Sequence, residues 1–216
     1  MGGDVSCLDR SAIILAEGSQ GKLVEEIGLL KLENKPLLNY VVDAVKGVVG
    51  EAIVVTFSKK QSDLYAKAVS SANVKFIVNP DESHGSLAAG LTGFQAARGD
   101  YSLVLPVDAP FVSKEVVSLL FDLSAGKSAV VPRWPSMEIE SSHAVYNTEL
   151  ALEASKKSLK ADEVDLSVLA GCLRGVRYVS TLVIEQLDPD FRTFFRVKTP
   201  LGLKKAAAMV KPRKHP

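Results

Sequence analysis

The chain has 216 residues, of which 47% are hydrophobic and 24% are charged, as in a single globular domain with a substantial core. These proportions exclude a disordered or collagen-like chain, and the net charge of +1 does not suit a protein that binds nucleic acid. The two cysteines, Cys7 and Cys172, form neither a zinc motif nor a disulfide framework. This use of cysteine fits a reducing cytoplasm best, and we expect a cytoplasmic protein. No apolar stretch approaches the ~20 residues of a membrane span, so we expect no membrane partner.

Short apolar strands alternate with helices in the first part of the chain. The pattern predicts a strand at 11–16, a helix at 36–45, a strand at 52–57, a helix at 60–71, a strand at 74–78, a helix at 87–98, a strand at 101–107, a helix opened by Ser113 and a strand at 128–131. This alternation is typical of βαβ units. It predicts an α/β fold with a mostly parallel sheet that is covered by helices on both faces.

The alternation becomes less regular beyond Pro132. There the sequence predicts a strand at 142–146, helices at 148–158 and 165–173, a strand at 176–180 and a helix at 199–210. We find no internal repeat and no linker that would separate two independent domains. We therefore expect a flexible N-terminus at 1–10, one domain at 11–210 and a basic tail at 211–216.

Ligands of open α/β sheets bind outside the carboxyl ends of the strands, and two polar features follow predicted strands there. The loop at 17–22 is rich in glycine and carries a lysine, which suits a phosphate, although an ordinary tight turn has the same composition. Asp108 follows the strand at 101–107 and lies between two prolines. A rigid carboxylate at that point suits Mg²⁺, or it caps the following turn.

A third feature is the segment at 85–90, which reads Gly-Ser-Leu-Ala-Ala-Gly and opens a predicted helix. Small residues at a helix N-terminus leave backbone N–H groups open to an anion or to the edge of a base. The same residues also permit close packing of the helix. The sequence leaves both interpretations open.

Several segments together resemble the MobA-like nucleotidyltransferases. They are LAEGSQGK at 15–22, GSLAAG at 85–90, LPVDAP at 105–110, SHAVY at 142–146 and FFRVKTP at 194–200. The resemblance implies a Rossmann-like three-layer sandwich of the nucleotide-diphospho-sugar transferase type. It also implies a nucleotide-binding half at 11–131 and an acceptor-side half at 132–210.

The resemblance implies GMP transfer from GTP to a phosphorylated small molecule such as molybdopterin, with Mg²⁺ as cofactor and pyrophosphate as the second product. By position, Lys22 and Asp108 are the catalytic residues, and Asp108 is the metal ligand. The implied nucleotide-binding residues are Leu15, Ala16, Glu17, Gly18, Lys22, Asn79, Gly85 and Gly90. The implied acceptor-binding residues are Arg196 and Lys198. We expect a monomer or a small homo-oligomer.

The sequence departs from the family pattern at several positions where either this chain or the family has a charged residue. Glu17 places a carboxylate where the triphosphate approaches, and Ile27 stands where the family has its catalytic lysine. Lys31, four positions on, offers another cation. Arg196 and Lys198 replace both asparagines of the acceptor-side motif, which suggests an acidic or phosphorylated ligand.

These departures leave two alternatives open. One is a catalytically degenerate homologue that binds a nucleotide or a protein partner without turnover. The other is an unrelated α/β binding module, in which the glycine-rich loop and Asp108 would lie at opposite ends of the sheet.

Overall fold

The computed structural model describes residues 9–16, 26–69, 73–80 and 85–210. The strands are β1 (Arg10–Leu15), β2 (Lys31–Leu32), β3 (Lys35–Pro36), β4 (Glu51–Thr56), β5 (Val74–Val78), β6 (Tyr101–Pro106), β7 (Ala129–Arg133), β8 (Ala144–Asn147) and β9 (Val176–Ser180). The helices are α1 (Leu37–Val45), α2 (Lys59–Ala68), α3 (Gly85–Ala96), α4 (Lys114–Asp122), α5 (Thr148–Leu159), α6 (Val168–Cys172), α7 (Thr181–Ile184) and α8 (Pro200–Val210). No helix within these ranges combines the length and the apolar character that a membrane crossing requires.

Seven strands form one sheet in the order β5-β4-β1-β6-β8-β7-β9. Strand β8 runs antiparallel to its neighbours β6 and β7, whereas the other pairs in this sheet are parallel. The predicted α/β fold with a mostly parallel sheet is confirmed. The predicted boundary between the two halves, at 131, falls inside β7, so both halves contribute to the same sheet.

The sheet separates two apolar layers because successive side chains of its strands point to opposite faces. In β1, Ala12 and Ile14 pack with α1 and α4, while Ile13 and Leu15 pack with α3 and α5. Ala12, Ile13 and Ile14 are fully buried. A strand covered on both faces needs apolar residues at every position, which explains the unbroken hydrophobic runs in the sequence.

Helix α3 crosses one face of β1 because it connects the edge strand β5 with β6 on the other side of β1. Gly93 makes this close crossing possible. A Cβ atom at Gly93 would lie 2.3 Å from Cγ2 of Ile13, which is too short for any nonbonded contact between carbon atoms. The crossing places the strand-order reversal between β1 and β6, which is where open sheets of this kind bind ligands.

The amino ends of the strands are tied together by the buried side chain of Glu51, which is 4% exposed. Its carboxylate accepts hydrogen bonds from the Ser11 hydroxyl at 3.0 Å, from Lys75 Nζ at 2.7 Å and from the Arg98 N–H and Nε at 2.7 and 3.1 Å. Burial raises the pKa of Glu51, but these donors outweigh it and hold the pKa below its ordinary value of 4.5. Glu51 therefore lies at the end of the sheet away from Asp108, where its hydrogen bonds stabilise the fold.

We expect Glu51→Gln to lower the free energy of unfolding by about 2 kcal/mol at pH 7, because charge-assisted hydrogen bonds are lost in a buried site. The folded-state pKa of Glu51 lies below the unfolded value, so its contribution is complete above about pH 4.5 and is lost as the pH falls through the folded pKa. Urea unfolding at pH 7 and pH 3.5 measures this. The exposed control Glu153→Gln should change stability by less than about 0.5 kcal/mol. A Glu51→Gln deficit that persists undiminished at pH 3.5 would contradict the charge argument.

Some predicted elements differ in the structure. The strand predicted at 142–146 begins at Ala144, because Ser141–His143 form a short 3-10 helix, and the helix predicted at 165–173 is shortened to α6. The β2–β3 hairpin was not predicted. Its turn places Glu33 and Asn34 at positive φ angles of 48° and 68°, and it lacks the glycine that usually marks such a turn. Residues 1–8 and 211–216, and with them most of the predicted flexible N-terminus and the whole basic tail, lie outside the described residues.

Candidate active site

The carboxyl ends of β1 and β6 lie side by side. Leu15 pairs with Pro106 in the sheet register, and the N–H of Val107 donates to the carbonyl of Leu15 at 3.0 Å. Asp108 follows one strand, and the glycine-rich loop follows the other directly after Ala16. The loop and Asp108 therefore start from the same end of the sheet, which is contrary to the placement expected of an unrelated binding module. Glu17, Gly18 and Lys22 belong to residues 17–25, which lie outside the described residues.

Asp108 is bound by Arg196, although the two residues are 88 positions apart. The guanidinium donates from Nε to Oδ1 at 2.7 Å and from Nη2 to Oδ2 at 3.1 Å. The N–H of Val197 also donates to the carbonyl of Asp108 at 2.8 Å. Asp108 is 3% exposed, so the carboxylate of this two-pronged pair is shielded from water, while the guanidinium reaches the solvent. The structure thus joins the predicted metal ligand to a predicted acceptor-binding residue.

The ion pair between Asp108 and Arg196 determines whether a metal ion can bind at Asp108. Mg²⁺ takes oxygen ligands and is commonly held by one or two carboxylates together with substrate phosphates. Both oxygens of Asp108 accept from Arg196, and the described part of the chain holds no cluster of three or more His, Cys, Asp or Glu side chains that suits a metal. With Arg196 in place, the residues do not fit a metal ion. With the guanidinium withdrawn, the Asp108 carboxylate has the donor chemistry that Mg²⁺ requires.

A second carboxylate, that of Glu140, acts on Arg196. Its Oε1 accepts from Trp134 Nε1 at 2.8 Å, and its Oε2 lies 3.7 Å from His143 Nδ1. Burial raises the pKa of Glu140, but the neighbouring His143 ring, the Trp134 N–H and the charge of Arg196 together hold this pKa below its ordinary value. Arg196 therefore acts on two carboxylates, because it binds Asp108 directly and its charge lowers the pKa of Glu140. Sequence reasoning missed Glu140 because it precedes a predicted strand and belongs to none of the quoted motifs.

Aromatic rings cluster around Phe194, two residues before Arg196. The Trp134 ring lies 5.0 Å from that of Phe191 and 5.6 Å from that of Phe194, and the His143 ring lies 5.4 Å from Phe194, all between ring centres. His143 and Phe194 come from two segments that carry the family resemblance, SHAVY and FFRVKTP. The fold therefore brings these two segments into direct contact.

Two side chains of α2 bind residues on either side of the segment at 17–25, which itself lies outside the described residues. Gln61 Nε2 donates to the carbonyl of Ala16 at 3.2 Å, just before the segment. The Tyr65 hydroxyl accepts from the N–H of Gly28 at 3.0 Å, just after it, and from Gln61 Nε2 at 3.4 Å. Burial raises the pKa of Tyr65 to about 12, so the hydroxyl stays protonated. No motif marks Gln61 or Tyr65, whose i, i+4 spacing is common on helices.

We expect Tyr65→Phe to lower the free energy of unfolding by about 1 to 2 kcal/mol, because the buried N–H of Gly28 loses its acceptor. The resemblance implies that the loop before Gly28 binds a nucleotide, so the same change should also raise the KM for that nucleotide, because Gly28 loses its hydrogen bond. Urea unfolding and steady-state kinetics measure the two effects. Tyr178→Phe removes a half-exposed hydroxyl that donates to Ala170 and should be nearly neutral. Equal effects of the two changes would contradict this role of Tyr65.

The backbone groups of the predicted residues Leu15 and Ala16 already have partners. The carbonyl of Leu15 accepts from Val107, the N–H of Ala16 donates to Val55 at 2.9 Å, and the carbonyl of Ala16 accepts from Gln61. Asn79 is also held by the fold. It is 3% exposed, its N–H donates to the Thr56 carbonyl at 2.7 Å, and its Oδ1 accepts from the Thr92 hydroxyl. A role of these residues in nucleotide binding stays a prediction.

Gly85 and Gly90 pack against the segment at 164–166. Gly85 has a φ angle of +59°, and a Cβ there would lie 2.8 Å from the Val164 carbonyl oxygen. A Cβ at Gly90 would lie 2.8 Å from a methyl group of Leu166. The N–H of Leu87 donates to the Val164 carbonyl, and the Leu166 N–H donates to the Ser86 hydroxyl. These contacts favour the packing interpretation of the small residues, while a nucleotide pocket bordered by Gly85 and Gly90 stays a prediction.

The other residues singled out where the sequence departs from the family pattern lie partly in the core and partly on the surface. Ile27 is 3% exposed and belongs to the apolar layer that contains α1. Lys31 in β2 and Lys198 after Val197 are exposed. The position at which the resemblance implies a lysine is therefore an apolar core position in this chain.

The sequence is similar to a known family over most of its length. The family model described as "MobA-like NTP transferase domain" matches residues 12–173. A protein of Methanosarcina mazei named "Probable molybdenum cofactor guanylyltransferase" is 31% identical over 196 residues, which cover 88% of this chain and 86% of that protein. A protein of Methanosarcina acetivorans with the same name is 30% identical over 195 residues, with the same coverage.

Two solved structures have the same fold at low sequence identity. Molybdopterin-guanine dinucleotide biosynthesis protein A from Archaeoglobus fulgidus matches with a TM-score of 0.76 and 21% identity over 92% of this chain and 97% of that one. The 4-diphosphocytidyl-2C-methyl-D-erythritol synthase from Anaerococcus prevotii matches with a TM-score of 0.72 and 16% identity over 95% and 97%. The expected fold of the nucleotide-diphospho-sugar transferase type is confirmed. Together with the family model, these findings show that the chain belongs to the MobA-like NTP transferase family.

Proposed function

We propose that this protein transfers GMP from GTP to a phosphorylated small molecule, with molybdopterin as the first candidate, and releases pyrophosphate. The observation that carries the proposal is the position of Asp108, a buried carboxylate at the end of β6 beside the loop that follows β1. The names of the relatives support guanylyl transfer and a molybdenum cofactor precursor as the acceptor. Magnesium, GTP and molybdopterin are parts of the proposal.

The reaction joins an oxygen of the acceptor's phosphate to the α-phosphorus of GTP. The bond between that phosphorus and the oxygen bridging to the β-phosphorus breaks, and pyrophosphate leaves with the electron pair. Such transfers depend on in-line positioning and on charge neutralisation rather than on a covalent intermediate. In this proposal the loop at 17–25 holds the nucleotide, with Lys22 near its phosphates, and the acceptor enters from the side of Arg196.

Mg²⁺, when bound, would supply positive charge to the phosphates, and Asp108 is the residue that would hold it after Arg196 has moved away. Arg196 is the chain's own cation at this point. Its planar guanidinium matches a phosphate as well as a carboxylate, because both present two oxygens to its parallel N–H groups. Lys198 adds an exposed charge two residues further on.

The aromatic rings beside Arg196 support a planar acceptor. Trp134 is half-buried, and its indole N–H is held by Glu140, so the orientation of the ring is fixed. Stacking on fixed aromatic rings favours flat heterocycles. A pterin that carries a phosphate would place its rings against Trp134 or Phe194 and its phosphate against Arg196.

The second candidate is the degenerate homologue that binds a nucleotide or a protein partner without turnover. Its support is Ile27, which is buried where the family has a lysine and cannot provide charge. In that case GTP would bind, and no product would form. A monomer or a small homo-oligomer is compatible with either candidate.

The two candidates are separated by a transfer assay with GTP labelled at the α-phosphorus, together with molybdopterin and Mg²⁺. We expect the label to appear in a dinucleotide, with one pyrophosphate released per label transferred, and much less product from ATP or CTP. Binding of GTP without transfer of label would support the degenerate homologue. Equal transfer from all three nucleotides would contradict the preference for guanine.

A further inference from the structure

We propose that Arg196 is an internal counter-ion that keeps divalent metal ions off Asp108 until a phosphorylated acceptor draws the guanidinium away. This inference rests on the proposed function, because it assigns the order in which metal and acceptor use the same site. It makes Arg196 a positioning residue that links the acceptor side of the site to the metal ligand.

Arg196 occupies the carboxylate of Asp108. The two guanidinium nitrogens lie 2.7 and 3.1 Å from the two oxygens of Asp108, so both oxygens are engaged. A divalent cation requires at least one of them at close distance. A guanidinium that holds both oxygens also repels a second cation there. Arg196 and a metal ion therefore compete for Asp108.

Arg196 is more exposed to solvent than Asp108. The Asp108 side chain is 4% exposed, whereas that of Arg196 is 35% exposed. An anion that arrives from solvent therefore meets the guanidinium before it meets the carboxylate. A phosphate offers the guanidinium the same two-oxygen geometry as Asp108, with more charge.

The main chain next to Arg196 is held in place by a hydrogen bond to Asp108. Val197 is fully buried, and its N–H donates to the Asp108 carbonyl at 2.8 Å, so the backbone beside Arg196 is fixed to the residue that Arg196 holds. The guanidinium can leave Asp108 by rotation of its own side chain.

The consequence is a positive linkage between acceptor and metal. An acceptor phosphate that takes Arg196 frees Asp108, so it raises the affinity for the metal ion. By thermodynamic reciprocity, a metal ion on Asp108 raises the affinity for the acceptor phosphate by the same factor. The site would then hold its metal tightly only when the acceptor is present.

Binding of Mn²⁺ to the full chain, followed by the electron paramagnetic resonance signal of the free ion, tests this without turnover. Inorganic phosphate serves as the probe for the acceptor. We expect weak Mn²⁺ binding to the wild type and about tenfold tighter binding to Arg196→Gln. Phosphate should tighten binding to the wild type severalfold and should have little effect on Arg196→Gln. If phosphate acted by bridging the metal directly, it would tighten binding to both proteins, which would overturn the proposal.

Matched variants separate the contact from general charge. Lys204→Gln removes an exposed charge of α8, outside the contact with Asp108, and should bind Mn²⁺ as the wild type does, with and without phosphate. Arg196→Lys keeps the charge but loses the paired geometry, and it should fall between the wild type and Arg196→Gln. It also serves if Arg196→Gln folds poorly. The tight binding of Arg196→Gln should disappear when Asp108→Asn is added.

Two results would overturn the inference, and they differ in what they say about the proposed function. If Asp108→Asn weakens Mn²⁺ binding but Arg196→Gln does not strengthen it, Arg196 does not compete with the metal, and the proposed function is untouched. If neither Asp108 nor Arg196 affects Mn²⁺ binding, Asp108 is not the metal ligand. That result removes both this inference and the metal site of the proposed function.

Discussion

Asp108→Asn is expected to lower kcat for GMP transfer about 10³-fold while the protein remains folded. The substitution keeps the size and shape of the side chain and removes its charge. An amide cannot hold a divalent cation beside the phosphates as a carboxylate does, and it cannot accept both N–H groups of Arg196. The acceptor side therefore also loses the residue that positions Arg196. The label-transfer assay gives kcat, and urea unfolding shows that the variant is folded.

The control for this substitution is Asp122→Asn. Asp122 is the exposed last residue of α4 and pairs with Arg10. Arg10 begins β1, so this pair lies at the amino ends of the strands, away from Asp108 at their carboxyl ends. Its kcat should stay within about twofold of the wild type, because exposed ion pairs contribute little. An Asp108→Asn variant with more than a tenth of the wild-type kcat would contradict the assigned role of Asp108.

Ile27→Lys is expected to lower the free energy of unfolding by about 3 kcal/mol, because it places a charge without a partner in an apolar layer. Ile27 is 3% exposed and packs with the core that contains Tyr65 and Leu37. The substitution restores the residue type that the family has at this position. We nevertheless expect no gain in GMP transfer, because the side chain starts inside the core rather than beside the phosphates.

Ile27→Met is the matched control, since methionine has nearly the length of lysine without its charge. It should lower the free energy of unfolding by less than about 1.5 kcal/mol, as volume-conserving core changes do. Urea unfolding of the two variants isolates the cost of the charge. An Ile27→Lys variant that is as stable as Ile27→Met and transfers GMP faster than the wild type would contradict this account. Position 27 would then face the nucleotide, and the loss of a lysine there would support the degenerate homologue.

The sequence predicts the central strands β1, β4 and β6 to within one residue because these strands are buried on both faces. Their apolar runs follow from this double burial and need no knowledge of the partner strands. The edge strand β5 also has the predicted boundaries, although it is only partly buried. The shared location of Asp108 and the loop after β1 follows from the same logic, because parallel strands present their carboxyl ends at one edge.

The internal contacts of the site could not be predicted in this way. The sequence marks Asp108 and Arg196 separately, and nothing in their spacing indicates that one holds the other. Glu140 and Tyr65 lie outside every quoted motif, and their roles depend on tertiary contacts with Arg196 and Gly28. Ile27 marks a departure from the family pattern, and its burial shows that the substitution belongs to the core.

The central claim is that GTP binds where β1 and β6 end, in a site that requires Asp108. The most direct measurement is calorimetric titration of GTP, with ATP and CTP beside it, into the wild type, Asp108→Asn and Asp122→Asn, with and without Mg²⁺, all in the presence of inorganic phosphate, which stands in for the acceptor and releases Asp108 from Arg196. We predict binding of GTP that depends on Mg²⁺, is lost in Asp108→Asn and is unchanged in Asp122→Asn. Equal binding of GTP to all three proteins, independent of Mg²⁺, would contradict the claim.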